Sequence, residues 1–472
     1  MNLTNLLDYG NSIYNLGENI NSLKRKNIKA DTKPSTAIKM LMMGFLSNRA
    51  SINRVQQAIF KSKDNKLKGV FSKGEFIPKT HALRDAVDDV EYNQVSRIHF
   101  NMLETMKKNK MFENHKYRGS GVVLIDGVES FETHKNIKGL HSRNHKDETT
   151  GYYYKSLGIM YLADDVEVML DLVPFEKHEV EEDKEHNDKI KSEGEITVLK
   201  RVIKNLKPYN IDIAVLDCMF ANAPCLNEIK KNGMEAIVKL TDTRRTIYKD
   251  AKGLFASQSP VKEYEIVEKE EIKSIKYSKE SKKKNETKIE KYQYTRKNTN
   301  KKLNKTIILT DKTINHPKKE VHKIIKEKVV KRVKIYSDNF DFDGYDKNQV
   351  RVLKVEETFV EKGKEVTKEM YIITTLIDED LEFIVDLMHR RWNIELKGFR
   401  KLKTRYNMDH LFIGTDNAIR LIHYLIIIIF NLIELYFNVR TRRYKNINYD
   451  NLLEDYMFEM ATKKIYKLFE FG

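Results

Sequence analysis

The residues of this chain best suited to chemistry are three carboxylates far apart in sequence: Asp126, Asp217 and Glu395. Asp126 follows the apolar run VVLI and precedes Gly127. Asp217 ends DIAVLD and is followed within a few residues by ANAP. Glu395 lies in HRRWNIELKGFRKLK, a basic stretch of helix-forming residues. Two carboxylates at strand ends and one on a helix are what a two-metal phosphoryl-transfer site needs. Mg²⁺ takes hard oxygen ligands and keeps some water. Two such ions roughly 3.5–4 Å apart can hold both the attacking and the leaving oxygen of a phosphodiester.

The three differ in specificity. Asp126 with Gly127 also reads as a plain turn opening. Asp217 sits where ligands of α/β sheets gather, at a strand carboxyl end. Glu395 is the most specific. Arg391 lies four residues before it on the same helical face, with Trp392, the only tryptophan, between them. Lys397, Arg400, Lys401 and Lys403 follow. A plain charge run is a solvated face, but Ile394, Leu396, Phe399 and Leu402 interleave with these cations. The helix is therefore expected to pack on a core while presenting cations. Arginine can grip phosphate bidentately, and a glutamate beside it can hold a metal.

Elements must position these groups. From about residue 35 to 115 the apolar spacing is helical, in AIKMLMMGFL and VSRIHFNMLETMKK, with a Pro- and Thr-led helix start in IPKTHALRDAVDDV. Such a basic helical unit reads equally as a module for DNA ends or as a packing module. From Gly119 the period changes. GVVLIDG, YYYKSLGIMYL and DVEVMLDLVP read as three consecutive strands, then EITVLKRVIKNL as a helix, DIAVLD as a strand, CLNEIKKNG as a helix closed by Gly233, and MEAIVKL as a strand. That order, a three-strand meander followed by α/β units, is the ribonuclease H-like arrangement.

The stretch from about Lys249 to Lys305 is charge-dense and poor in leucine. It alternates in places (Ile272, Ile275, Tyr277; Ile289, Tyr292, Tyr294), which suggests exposed hairpin strands. The fold class expected is α/β: a ribonuclease H-like catalytic core with a β-rich insertion and an α-helical N-terminal region. The expected divisions are 1–118 (helical), 119–245 (first part of the core), 246–367 (β-rich insertion), 368–440 (second part, with the glutamate helix) and 441–472 (a helical C-terminal tail).

Bulk properties narrow the function. The chain has 472 residues, with 86 Lys and Arg against 69 Asp and Glu, a net charge of +17. This suits a polyanionic partner, most simply nucleic acid, although a biased Lys-, Asn- and Ile-rich composition also produces it. The two cysteines, Cys218 and Cys225, form no CxxC pair, so neither a zinc site nor a disulfide framework is expected, and a reducing compartment fits. The start lacks the basic and apolar regions of a signal peptide. The run LIHYLIIIIFNLIELYF from Leu421 contains His423, Asn431 and Glu434, which favours a buried core helix over a membrane span.

These segments resemble the DDE transposases of bacterial insertion sequences, in the group with a β-rich insertion before the glutamate helix. The resemblance runs from about Thr80 to Tyr436. The family's first aspartate matches Asp126 in LIDGVES, the second matches Asp217 with its Ala221–Pro224 turn, and the Arg-Trp-x-Ile-Glu motif matches Arg391, Trp392, Ile394 and Glu395. Two positions depart from it. Met388 stands where the family has a tyrosine, and Leu402 where it has a lysine, with Lys403 one residue later. His389 or Tyr406 could take the tyrosine's role.

The resemblance implies that Asp126, Asp217 and Glu395 bind two Mg²⁺ or Mn²⁺ ions, and that the protein nicks transposon ends to free a 3′-hydroxyl that attacks target DNA. It implies phosphate contacts from Arg391, Lys403 and Arg400. Trp392 either stacks on a displaced base or packs, the second being preferred. Partners would be double-stranded DNA (ends and target) and a second copy of the chain in the DNA complex, with no membrane, in the cytoplasm and at the nucleoid. Readings of other classes are a transposase-derived DNA-binding protein without catalysis, and a nuclease of the same fold.

Other motifs are weaker. His134, His141, His145 and Asp147 form a loose potential metal cluster, and Glu195 is a backup carboxylate. No Walker-type phosphate loop, no G-x-S-x-G elbow and no Arg–His–Arg–Tyr constellation of a tyrosine recombinase is present.

Overall fold

A tight turn delivers the chain into its central strand: Tyr117 and Ser120 exchange backbone hydrogen bonds while Arg118 and Gly119 both take positive φ, 47° and 88°. The turn of this kind suits the twist of paired strands. The computed structural model describes residues 3–27, 31–46, 51–60, 78–179, 190–277, 290–294 and 319–440. The expected C-terminal tail at 441–472 lies outside them.

Before the turn the chain is helical: α1 (Leu3–Tyr14), α2 (Leu16–Asn21), α3 (Pro34–Leu46), α4 (Ile52–Phe60), α5 (Thr80–Asp88), α6 (Tyr92–Lys108) and α7 (Met111–Asn114). After it come β1 (Val122–Thr133), β2 (His141–Asn144), β3 (Thr150–Leu162), β4 (Glu167–Pro174) and the short pair β5 (Lys177–Glu179) and β6 (Ile190–Ser192). Then follow α8 (Glu195–Val202), β7 (Ile213–Leu216), α9 (Ala223–Lys231) and β8 (Glu235–Leu240). The described residues fall into two compact units. The first takes residues up to Lys239, Asp341–Val350 and everything from Ile373.

In this first unit β1, β3 and β4 are an antiparallel meander, and β7 and β8 extend it in parallel from the free edge of β1, giving the order β4-β3-β1-β7-β8. β2, which carries His141, pairs with the start of β3. One difference bears on the site. The sequence places Asp126 at a strand end, whereas β1 runs on to Thr133. The cause is its partner β3, which stays paired past Asp126, through Gly127↔Leu157 to Glu129↔Lys155, before a bulge at Glu129/Glu132. Only the parallel pairing to β7 stops at Ile125.

The second unit holds α10 (Thr246–Ser257) and the strands β9 (Lys262–Tyr277), β10 (Glu290–Tyr294), β11 (Lys319–Asp341), β12 (Gln349–Glu361) and β13 (Lys364–Thr374), the last extending to Ile372 within this unit. The order is β10-β9-β11-β12-β13. Lys362 and Gly363, both at positive φ, close the β12–β13 hairpin in two residues. The helix α10 was not expected in this stretch. Ile247, Ala251 and Phe255, four residues apart, put one buried face on it, and Phe255 packs against Tyr336 and Phe340.

From Leu381 the chain is helical again, in the first unit: α11 (Leu381–Arg390), a π-helical segment at Ile394–Phe399, α12 (Arg400–Tyr406) and α13 (Asp416–Glu434). α13 is long and apolar enough to cross a membrane, but 94% of its most apolar window is buried inside this unit, as the core-helix reading expects. It packs on α6, α3 and β4. Its polar residues explain themselves. The Asn431 side chain donates to Met169 O and accepts from Met169 N, both at 2.8 Å, so it pairs with β4 much as a neighbouring strand would.

A second polar contact along α13 has a pH consequence. Asp171 on β4 accepts from Tyr424 Oη and from Leu172 N, both through Oδ1, yet burial pushes its carboxyl up to about 6. Since an unfolded aspartate titrates near about 3.9, the native state binds more protons between those values, and stability falls as pH rises through that window. Asp171→Asn keeps the Oδ1 acceptor and cannot ionise. Its advantage over wild type in urea unfolding should therefore grow from pH 4 to 6 and then level off. Parallel stability profiles for the two proteins would show that Asp171 does not titrate in this window.

Candidate active site

The site is built from β1, the end of β7 and the helical stretch after α11. β1 carries Asp126 on the face of its antiparallel partner residue Gly158. One Asp126 carboxyl oxygen accepts from Gly127 N at 2.9 Å, and the other accepts from Arg391 Nη1 at 2.8 Å. Asp217 follows β7 directly. The chain then makes a 3₁₀ turn at Cys218–Phe220 and starts α9, whose N-cap Asn222 accepts from Cys225 N, with Pro224 in the first turn. The ANAP signature is thus a helix start that fixes where β7 stops.

Arg391 joins the two aspartates. Its second guanidinium nitrogen lies 3.5 Å from Asp217 Oδ1, and the side chain is only 5% exposed. Its backbone is held by Leu387 and Met388 carbonyls at the end of α11. Glu395 follows one turn later in the π-helical segment. Such wide turns are rare and recur at functional sites. Burial pushes Asp126 up to about 6. Arg391 opposes the shift, and the negative charges of Asp217 and Glu395 add to it, so both of the other carboxylates stand within electrostatic reach of Asp126.

Glycines seat the glutamate helix. A Cβ on Gly158 would lie 2.3 Å from Phe399 Cε1, so the Phe399 ring occupies the space beside Asp126 that a side chain on β3 would fill. Gly398 packs on Met160 and Met169 in the same way. Two lysines of the cation run are paired with acids of the core: Lys397 with Glu167, and Lys401 with the buried Glu434 at 2.5 Å. Lys403 lies 3.6 Å from Asp409. Arg400 is exposed and makes no ion pair among the described residues. Trp392 is 53% exposed, against the packing role preferred from sequence, and the Arg391 guanidinium carbon is 5.1 Å from its ring centre.

The remaining candidates separate from the site. Met388, Leu402 and Tyr406 are core residues, and His389 is exposed. Glu195 pairs with Lys155 at 2.9 Å and sits against Gly127, the residue after Asp126, whose Cα substituent faces away from the Asp126 side chain. His141 packs against Tyr153 and Phe175, His145 pairs with Glu132, and Asp147 bonds Thr149, so the histidines form no common site. Among the described residues no three His, Cys, Asp or Glu side chains are gathered tightly enough to hold a metal ion. The donor chemistry nevertheless fits a hard divalent cation: carboxylate oxygens on adjacent strands already share one cationic group, with a third carboxylate beside them.

Comparison with known proteins places much of the chain in one family. A search of curated proteins finds no match. A protein-family model for the transposase DDE domain matches residues 189–432, a span that includes Asp217, Arg391 and Glu395 and begins after Asp126. That match covers just over half of the 472 residues, and by it the chain belongs to the transposase DDE domain family.

Proposed function

We propose that the protein is an insertion-sequence transposase with a ribonuclease H-like core, in which Asp126, Asp217 and Glu395 hold two Mg²⁺ or Mn²⁺ ions. The observation that carries the reading is the shared guanidinium of Arg391, which draws together aspartates from two neighbouring parallel strands one helical turn before Glu395. The order β4-β3-β1-β7-β8 supports the core assignment. When bound, the ions supply an activated water or hydroxyl and stabilise charge on the phosphodiester.

The chain's own residues orient and bind. Asp126 is fixed by Gly127 N and Arg391, Asp217 by the N-capped start of α9, and Glu395 by the Phe399 and Gly398 contacts of its helix. Exposed Arg400 and Trp392 flank this helix on its solvent side and suit a phosphate and a base, with Lys403 a further phosphate contact. Cleavage at an element end would free a 3′-hydroxyl for in-line attack on target DNA. Because two ends are joined, the acting species in the DNA complex would be a homodimer.

The test is incubation of a labelled duplex bearing the ends that flank this gene with the protein and Mg²⁺, beside the Glu395→Ala variant. Nicking at the element boundary by wild type alone is the expected result. Equal, tight binding by both proteins with no nicking would instead favour a transposase-derived DNA-binding protein.

A further inference from the structure

We propose that Arg391 is a resident counter-ion of the metal-free site: its guanidinium holds Asp126 and Asp217 together, and must give up both before a divalent cation can take them. The arginine is then released to a phosphodiester only once the cation is in place. The inference rests on the reading of Asp126, Asp217 and Glu395 as cation-holding residues and concerns how that site is loaded.

The geometry is that of a competitor. Arg391 contacts Asp126 at 2.8 Å and Asp217 at 3.5 Å, so the oxygens that would face a cation face a guanidinium. The side chain is buried, and neither it nor a divalent ion could share this space without strong like-charge repulsion in a poorly screened environment. The same contact explains why the two carboxylates are close while no three ligands are gathered on one point. It also has a protective role. Two half-buried carboxylates facing each other without a cation would repel, and the buried guanidinium stripped of its partners would be costly.

A second attractive neighbour already borders the guanidinium. The Trp392 ring is half in solvent, and the Arg391 guanidinium carbon is already 5.1 Å from its centre. A cation over the face of a tryptophan is attracted to it. Arg391 can therefore leave the carboxylates by a change of side-chain torsions, with its backbone still bonded to Leu387 and Met388, and arrive where an incoming phosphate would meet it.

The experiment is Mn²⁺ binding to the full-length protein without DNA, read from the free-ion electron paramagnetic resonance signal at fixed ionic strength. Arg391→Met removes the competing charge and keeps a long apolar stem. It is expected to bind Mn²⁺ at least about tenfold more tightly than wild type. Arg391→Lys keeps one charge without the two-pronged contact, and should fall between them. Asp126→Asn should lose the ion.

Equal or weaker binding by Arg391→Met, with binding still lost in Asp126→Asn, would overturn the counter-ion inference and leave the cation site standing. No binding in wild type and Arg391→Met alike, or binding that survives Asp126→Asn, would overturn both. If Arg391→Met fails to fold by circular dichroism, Arg391→Lys decides: tighter binding than wild type supports the inference, and unchanged or weaker binding overturns it.

Discussion

Asp126→Asn, Asp217→Asn and Glu395→Gln should each lower cleavage of an end-bearing duplex by on the order of 10³-fold or more, the scale on which a catalytic set loses function when one member goes. Affinity for the duplex should stay close to wild type, because phosphate contacts from lysine and arginine dominate it. The three variants should differ in stability. Asp126→Asn breaks the shorter of the two contacts of a buried arginine, so its melting temperature should fall. Glu395 makes no such contact with Arg391, and Glu395→Gln should melt near wild type. Cleavage by any one variant at the wild-type rate would remove that residue from the site. A Glu395→Gln protein that bound DNA poorly would show that this carboxylate shapes the DNA surface rather than the chemistry.

Much of the carboxylate set was legible because each member sits in a strong local pattern. The IAVL of DIAVLD is a fully buried parallel strand, and a carboxylate that ends such a run is conspicuous. Glu395 stood out through its neighbours Arg391 and Trp392. Asp126 was singled out for a partly mistaken reason. The apolar run stops there, but β1 does not, since Val128 before a bulge and Phe131 within it continue inward, and the bulge breaks the two-residue period. The bulge erased the signal that would have extended the strand.

What sequence could not show is long-range or conformational. Arg391 and Asp126 are 265 residues apart, and nothing local in either segment specifies their contact. The π-helical segment around Glu395 has no residue signature beyond the presence of Gly398. The inward role of Lys397 and Lys401 did have a signal. Glu167 and Glu434 are buried acids in largely apolar segments, EVMLDLVP and NLIELYF, and a fully buried acid is usually paired. Two lysines four apart on an otherwise apolar helix face were the available partners. The helix α10 was hidden by the charge density of the segment that follows it, although Ile247, Ala251 and Phe255 carry a helical period.

The second large effect is expected at a residue with no side chain to lose. Gly158→Ala adds one methyl group on the strand opposite Asp126, 2.3 Å from Phe399 Cε1 and 2.5 Å from Cζ. The ring is rigid and buried, so it cannot turn aside as the end of a long chain would. Either β3 or the glutamate helix must shift. Overpacking of this kind costs about 1–3 kcal/mol. The larger consequence is positional, because Phe399 is four residues from Glu395 on the same helical stretch, and a displacement of about 1 Å at a reacting group can lower a rate by on the order of 10²-fold. Gly158→Ala should therefore lose about two orders of magnitude in cleavage while binding end DNA normally. Phe399→Leu, which removes ring volume at the point of conflict, should recover part of that loss in the double variant, since residues in direct contact are expected to couple. A Gly158→Ala protein that is destabilised but cleaves normally would mean that the ring only fills space. A double variant with simply additive losses would mean that the methyl group acts through some other neighbour. Partial recovery would establish that the distance between two carboxylates, Asp126 and Glu395, is set by a glycine and a phenylalanine that never touch the substrate.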